Sequence, residues 1–169
     1  MRAVAAALAF AVVLVPGAVQ AAEGDLDRVR GCITTAADIH RLPPAVLVIL
    51  LDVEGGSLGR VTRNANGTVD IGPMQVNQIW LPRIAAHWRA SEAAARLALR
   101  DDFCANLEGG AWILRQAIDE AHGDFWAGVG LYHSHDPGYR SAYLRKVLKQ
   151  ALRLQDQAAR TRIAAQAGR

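Results

Sequence analysis

The pattern of apolar and polar residues along the chain is mainly helical. Apolar residues recur at spacings of three and four, and few segments alternate with the period of two typical of strands. The pattern predicts a first helix over residues 26–41 and a second that opens at Pro43-Pro44 and ends at Gly55-Gly56. Proline suits the first turn of a helix and glycine commonly ends one. We therefore expect a mainly helical α+β domain.

Residues 57–77 interrupt this pattern. Asn66-Gly67 is a tight-turn signal between short mixed segments and predicts a small hairpin or a long ordered loop. Helical periodicity resumes over residues 79–90, 91–100, 101–123, 125–134 and 139–157, with a turn at 136–138. Asp101 or Asp102 is expected to cap the helix that follows it. We expect the tail beyond Ala158 to fray.

The first 21 residues have the composition of an export signal. Arg2 precedes an apolar run over residues 3–15, and small residues at 19–21 form a cleavage site. The run is too short to span a bilayer unaided, and no later segment resembles a membrane span. We expect residues 1–21 to be cleaved near Ala21 and the mature protein to reach the periplasm. An uncleaved anchor is the alternative.

The remaining 148 residues are enough for one compact domain. We place this domain at residues 22–150, followed by a basic helical tail at 151–169. Cys32 and Cys104, in an oxidising compartment, predict one disulfide. It would close a long loop and contribute roughly 4 kcal/mol in the chain-entropy model. Two buried free thiols are the alternative.

The charge of the chain is mildly basic. The formal net charge is +3, and removal of residues 1–21 takes away only Arg2 and leaves +2. Lys and Arg form no dense patch, so the sequence does not indicate nucleic-acid binding. A weakly basic protein suits an anionic polymer such as the bacterial cell wall.

Glu54 is unusual because it ends a long apolar segment. On a helix it shares a face with Leu47, Leu50 and Leu51. These neighbours and the negative end of the helix dipole favour the neutral carboxyl group and raise its pKa, as a general acid requires. The two glycines that follow leave room for a substrate. A Glu that reaches solvent is the alternative, and Asp52, on the other side of the helix, is the rival carboxylate.

The loop after Glu54 carries a motif, and two further blocks follow it. The motif consists of Asn64, Asn66, Gly67, Asp70, Gly72, Met74, Gln75, Val76 and Asn77. The blocks are CANLEGGAWIL (104–114) and GLYHSHDPGYRSAYLRKV (130–147). Together they resemble the soluble, goose-lysozyme-like (SLT-type) lytic transglycosylases, and most closely the small exported members that accompany type IV secretion, conjugation and type III secretion. The family usually has Ser directly after the catalytic Glu, where this chain has Gly55, and Pro73 is also unusual.

The resemblance implies a lysozyme-like fold and cleavage of the β-1,4 bond between N-acetylmuramic acid and N-acetylglucosamine in peptidoglycan. The product would be a 1,6-anhydromuramoyl end, with Glu54 acting as acid and then as base. A single carboxyl group then suffices, whereas ordinary glycoside hydrolysis uses two. The resemblance implies no metal and no organic cofactor. Its implied partners are peptidoglycan strands and proteins of a secretion or conjugation apparatus, and we expect a monomer that binds no nucleic acid.

By matched position, Gln75 and Tyr132 are expected to hold sugar and acetamido groups beside the acid. Asn77 and Ser57 are further candidates for substrate binding. Asn77 could instead cap the helix that follows, and Tyr132 could be a core residue with a satisfied hydroxyl. Met74 is expected in the core. The polar loop residues are expected to shape the loop: Asn64, Asn66 and Asp70. The four tryptophans are expected in the core: Trp80, Trp88, Trp112 and Trp126.

Three other functions fit parts of the sequence. A muramidase on the same fold would need a second group to position water, for which Asp70 is the nearby candidate. A metal enzyme could use the HSHD segment, residues 133–136, but needs further ligands, and His40, His87 and His122 belong to no motif. A non-catalytic periplasmic module that binds the cell wall would leave Glu54 without a chemical role.

Overall fold

The computed structural model describes residues 16–168, which form seven helices and three short strands. The helices are α1 (Pro16–His40), α2 (Pro44–Glu54), α3 (Leu81–Trp88), α4 (Glu92–Asp101), α5 (Phe103–Glu120), α6 (Phe125–His133) and α7 (Pro137–Ala167). The strands are β1 (Val61–Arg63), β2 (Val69–Ile71) and β3 (Val76–Asn77), and a 3₁₀ turn, Gln78–Trp80, follows β3. The predicted mainly helical α+β class is confirmed.

Helix α5 forms the centre of the core. It packs against α1, α4 and α6. A Cβ added to Gly110 would lie 2.9 Å from side-chain atoms of Met74, so the missing side chain lets the loop before β3 approach the helix. Met74 is fully buried there, as expected. The other large, fully buried side chains include Leu47, Leu50, Ile71, Ile84, Leu99, Leu107 and Leu114.

The three strands form an antiparallel sheet in the order β1-β2-β3. Asp70 of β2 lies opposite Asn77 of β3. Between β1 and β2, Gly67 has a φ of +84°, a conformation that favours glycine. The Asn66 side chain accepts hydrogen bonds from the backbone N–H and the hydroxyl of Thr68, at 3.1 and 2.8 Å. The predicted hairpin is therefore confirmed, and β3 adds a third strand to it.

The buried side chain of Asn106 joins the sheet to the helical core. Its Oδ1 accepts a hydrogen bond from the backbone N–H of Met74 at 2.7 Å. Its Nδ2 donates to the carbonyl oxygens of Ile71 and Leu99, at 2.9 and 2.8 Å. Gly72 has a φ of +69°, and a Cβ there would lie 2.3 Å from Asn106 Nδ2. One side chain on α5 thus holds α4, β2 and the loop after β2.

The predicted disulfide between Cys32 and Cys104 is present and links α1 to α5, with the two Cα atoms 5.1 Å apart. Helix α2 ends as predicted, because Gly55 adopts a left-handed conformation (φ +62°) and donates its N–H to the carbonyl of Leu51 at 3.1 Å. Asp102, one of the two predicted caps, accepts a hydrogen bond from the N–H of Ala105 at 2.9 Å.

Three predicted boundaries are wrong. Helix α1 begins at Pro16 rather than at Leu26. The predicted turn at 136–138 is the first turn of α7, where Asp136 Oδ1 accepts hydrogen bonds from the N–H groups of Gly138 and Tyr139. Helix α7 also continues to Ala167 instead of fraying beyond Ala158. Its last turns are exposed, so the high helix propensity of Ala, Arg and Gln maintains them.

Residues 1–15 of the predicted export signal lie outside the described residues, and its last six residues belong to α1. Within residues 16–168, no helix has the length and apolar character needed to cross a bilayer.

We expect Asn106→Ala to lower the free energy of unfolding by at least about 3 kcal/mol. The substitution removes three buried hydrogen bonds to the backbone, and a buried group that is left without a partner costs about 1–3 kcal/mol. Urea denaturation with the disulfide intact measures this loss. Gln116→Ala, at a half-buried position of the same helix whose side chain accepts one hydrogen bond from Arg83, is the control and should change the stability by less than about 1 kcal/mol. Equal losses in the two variants would contradict a joining role for Asn106.

Candidate active site

The carboxyl group of Glu54 lies between the end of α2 and α7. The apolar face of α2 determines this position, because Leu47 and Leu50 are fully buried in the core and Glu54 follows on the same face. The Tyr143 hydroxyl of α7 donates a hydrogen bond to Glu54 Oε1 at 2.6 Å. Burial of this carboxyl group therefore depends on the packing of two helices that are distant in sequence.

Burial raises the pKa of Glu54 from 4.5 to about 7. The hydrogen bond from Tyr143 and the positive charge of Lys146 lower this pKa, and the negative charge of Asp70 raises it. Desolvation outweighs the hydrogen bond, so the side chain takes up and releases a proton near neutral pH. A carboxyl group with this property can serve as both acid and base.

Glu54 lines a cleft of about 660 Å³ between the sheet, the end of α6 and the start of α7. The polar and aromatic side chains that line it are those of Glu54, Asn64, Asn66, Asp70, Gln75, Asn77, Trp80, Tyr132, His133, Ser134, His135 and Tyr139. The structure thus brings together four of the predicted site residues: Glu54, Gln75, Asn77 and Tyr132. Ser57, the fifth, is exposed and does not line the cleft.

Three side chains of the cleft form hydrogen bonds with the loop that they belong to or face: those of Gln75, Asn77 and Tyr132. Gln75 adopts a left-handed backbone conformation (φ 48°), uncommon outside glycine, and its Nε2 donates to the Gly72 carbonyl at 2.8 Å. Asn77 Oδ1 accepts from the N–H of Ile79 and so caps the 3₁₀ turn. The Tyr132 hydroxyl donates to the Met74 carbonyl at 3.0 Å. All three side chains therefore order the wall of the cleft that they line.

The two glycines after Glu54 have roles in the backbone. Gly55 ends the helix in the left-handed conformation. A Cβ on Gly56 would lie 2.1 Å from the Gly72 carbonyl oxygen and 2.6 Å from Gln75 Nε2. Gly56 thus permits close contact between the end of α2 and the loop that carries Gln75. The interpretation of these glycines as a substrate opening stays a prediction.

One residue of the site, Tyr143, was missed from sequence, and another, His133, was considered only as a metal ligand. Tyr143 donates to Glu54, and the His133 ring stacks on the Tyr143 ring with centroids 4.3 Å apart and planes at 3°. Burial and then the charge of Lys146 lower the pKa of His133, which favours its neutral form. The available signal was the four-residue spacing of Tyr143 and Val147 on one helix face, since a buried tyrosine hydroxyl needs a partner.

The alternative site residues considered from sequence, Asp52 and the histidines of the HSHD segment, have other contacts. Asp52 is exposed and accepts hydrogen bonds from Arg153, at 2.6 Å, and from Gln150 of α7. His135 bonds to Glu120 at 2.8 Å, whereas His133 stacks in the cleft, so the two histidines of the HSHD segment have different neighbours.

The expectation that all four tryptophans lie in the core is wrong. Trp126 is 53% exposed and contacts Phe125 edge to face on the outer side of α6. Trp80 is half-buried and lines the cleft. Trp80 also packs against the core, as do Trp88 and Trp112.

The sequence matches no protein-family model, and no curated protein shows significant similarity to it.

Replacing Glu54 with Gln should remove a pH dependence of stability. Below pH 4.5 the carboxyl group is protonated in both the folded and the unfolded chain. Between 4.5 and about 7 only the unfolded chain loses the proton, so the wild type becomes less stable as the pH rises and stays so above 7. The free energy of unfolding of Glu54→Gln, taken relative to that of wild type, should therefore increase by about 3 kcal/mol between pH 4 and pH 8.

Urea denaturation of both proteins at the two pH values measures this difference. A stability difference that is the same at pH 4 and pH 8 would show that Glu54 titrates as an exposed carboxyl group does.

Proposed function

We propose that this protein is a peptidoglycan lytic transglycosylase in which Glu54 is the catalytic acid and base. The observation that carries the proposal is a carboxyl group with a pKa of about 7 on the wall of a polar cleft. The resemblance of the loop motif and of the two later blocks supports the same reaction.

In the proposed reaction, protonated Glu54 donates its proton to the glycosidic oxygen as the bond from this oxygen to C1 of muramic acid breaks. The substrate's own 2-acetamido group supports the positive charge at C1. The Glu54 carboxylate then accepts the proton of the 6-hydroxyl, whose oxygen closes on C1. The cycle returns Glu54 to its protonated form and consumes no water.

Tyr143 has a defined part in this scheme. Its hydroxyl donates to Oε1 of Glu54, so Oε2 is the oxygen that exchanges the proton with the substrate. Burial, together with the charge of Glu54, raises the pKa of Tyr143 far above its ordinary value, so the hydroxyl keeps its proton and remains a donor. The hydrogen bond stabilises the carboxylate that forms after the first proton transfer.

The cleft has surfaces suited to a glycan strand. Gln75, Asn77 and Tyr132 supply polar groups near the acid, and exposed Ile79 and Tyr139 supply apolar surface at the same cleft. Pyranose rings present both hydroxyl edges and apolar faces, so a mixed lining of this kind suits them. Peptidoglycan is the proposed partner.

We place the activity in the periplasm. The disulfide between Cys32 and Cys104 is typical of an oxidising compartment, and the first 21 residues have the composition of an export signal. Local opening of the wall for a secretion or conjugation apparatus follows from the family resemblance alone.

A muramidase reaction in the same cleft is the second candidate. It is favoured by one observation, the presence of a second carboxylate, Asp70, on the cleft wall. Asp70 accepts a hydrogen bond from Asn77 Nδ2 at 2.8 Å, which orients the carboxylate. A water held by Asp70 would yield a reducing end instead of an anhydro end.

We expect Glu54→Gln to lower the rate of digestion of purified sacculi at least about 100-fold, because the amide cannot transfer the proton. Asp52→Asn is the matched control, since it removes the neighbouring carboxylate on the opposite side of α2 and should retain activity. Mass spectrometry of the released fragments should show 1,6-anhydromuramoyl ends.

Reducing ends would favour the muramidase reaction. Equal digestion by Glu54→Gln and wild type would disprove the role of Glu54. Binding of sacculi without digestion by either protein would indicate a wall-binding module.

The rate of digestion should fall as the pH rises above about 7, because the first step needs the protonated form of Glu54. The decrease should approach about tenfold per pH unit well above the pKa. In Tyr143→Phe, loss of the hydrogen bond that lowers the Glu54 pKa should move this decrease to higher pH and also reduce the maximal rate. A reduced rate with an unmoved pH profile would mean that Tyr143 acts only in packing.

A further inference from the structure

Two histidines and one glutamate converge away from the cleft. His40 ends α1, His87 lies in α3, and Glu108 lies in α5. The Nε2 atoms of His40 and His87 lie 2.8 and 3.0 Å from the same oxygen, Glu108 Oε1. The potential ligand atoms of the three residues all lie within 4.8 Å of one another. None of the three residues lines the cleft.

Zinc and similar divalent ions bind this combination of donor atoms. Two imidazole nitrogens and one carboxylate oxygen, with water in the fourth position, form a common three-ligand zinc site. Bonds of roughly 2.0–2.2 Å in a tetrahedral shell place the donor atoms roughly 3.3 Å apart. The two His–Glu108 distances are a few tenths of an ångström shorter than this, and all three donor pairs lie within 4.8 Å, so a small adjustment of the two rings would admit an ion.

The surroundings of Glu108 orient its carboxylate. Its Oε2 accepts a hydrogen bond from the Trp88 indole N–H, the kind of outer contact that orients metal-binding carboxylates.

The cluster is held by rigid neighbours and is open on one side. The disulfide joins α1 and α5 about two turns before His40 and about one turn before Glu108. The His87 ring stacks on Trp112 with centroids 4.9 Å apart. The His40 side chain is 6% exposed, whereas those of Glu108 and His87 are 21% and 32% exposed. An ion and its water can therefore enter beside His87.

We propose that His40, His87 and Glu108 bind one divalent transition-metal ion of the zinc class, with water completing its coordination. Binding replaces the two His–Glu108 hydrogen bonds with metal bonds, and each neutral imidazole then carries its proton on Nδ1. The ion links α1, α3 and α5. It has no part in the proposed reaction of Glu54, so the site can be tested without any measurement of wall digestion.

Calorimetric titration of the disulfide-intact protein with Zn²⁺, and Co²⁺ absorption spectroscopy, test this site directly. We expect one ion per chain with micromolar or tighter affinity and the intense visible bands of tetrahedral Co²⁺. His87→Gln should lower the affinity by at least about 100-fold, and Trp88→Phe by about tenfold, the size typical of an outer-shell loss. His135→Gln, which alters the exposed His135–Glu120 pair, is the matched control and should bind as wild type does.

The melting temperature distinguishes the loss of a metal-binding side chain from misfolding of the variant. Gln at position 87 can still donate a hydrogen bond to Glu108, so we expect the metal-free variant to melt near the wild-type temperature. At a concentration about tenfold above the wild-type Kd, Zn²⁺ should raise the melting temperature of wild type and leave that of His87→Gln nearly unchanged. Absence of stoichiometric binding to wild type, or unchanged affinity in His87→Gln, would overturn the proposal and leave the triad as a hydrogen-bonded clamp.

Discussion

The three hydrogen bonds of the buried Asn106 side chain are the interaction on which the rest of the structure depends. They join the backbone N–H of Met74 and the carbonyl groups of Ile71 and Leu99 through one buried side chain, so an irregular loop can lie inside the core. Met74 is thereby held in the core, and its carbonyl becomes the acceptor for Tyr132. Gln75, the next residue, is directed into the cleft. Through these contacts, Asn106 on α5 positions the polar wall of the candidate active site.

Two partly buried carboxyl groups show how burial and hydrogen-bond donors together decide the charge state. Glu54 has one hydrogen bond, from Tyr143, and desolvation raises its pKa to about 7. Glu108 receives hydrogen bonds from two histidines and a tryptophan, and its pKa falls below the ordinary value despite burial. A glutamate is thus suited to proton transfer at the end of α2, as Glu54, and to carrying a negative charge in α5, as Glu108.

Local signals predicted the elements whose ends depend on neighbouring residues. Gly55 ends α2 and the Asn66-Gly67 turn closes the hairpin, because both depend on backbone conformations that a few adjacent residues decide. The same kind of signal was misread at Asp136, which caps a helix instead of opening a free turn. The length of α7 was also underestimated, because an Ala-rich helix without core contacts has no apolar periodicity to reveal it.

The sequence by itself determined that Glu54 lies on an apolar helix face, that a turn-rich loop follows it, and that two cysteines are available to pair. Only the tertiary structure decided what surrounds the carboxyl group. Tyr143 is 89 residues from Glu54, and His40 and Glu108 are 68 residues apart. Periodicity reports on neighbours within one or two turns of the same helix. The contacts between distant helices depend on how those helices pack, and a local pattern carries no record of that packing.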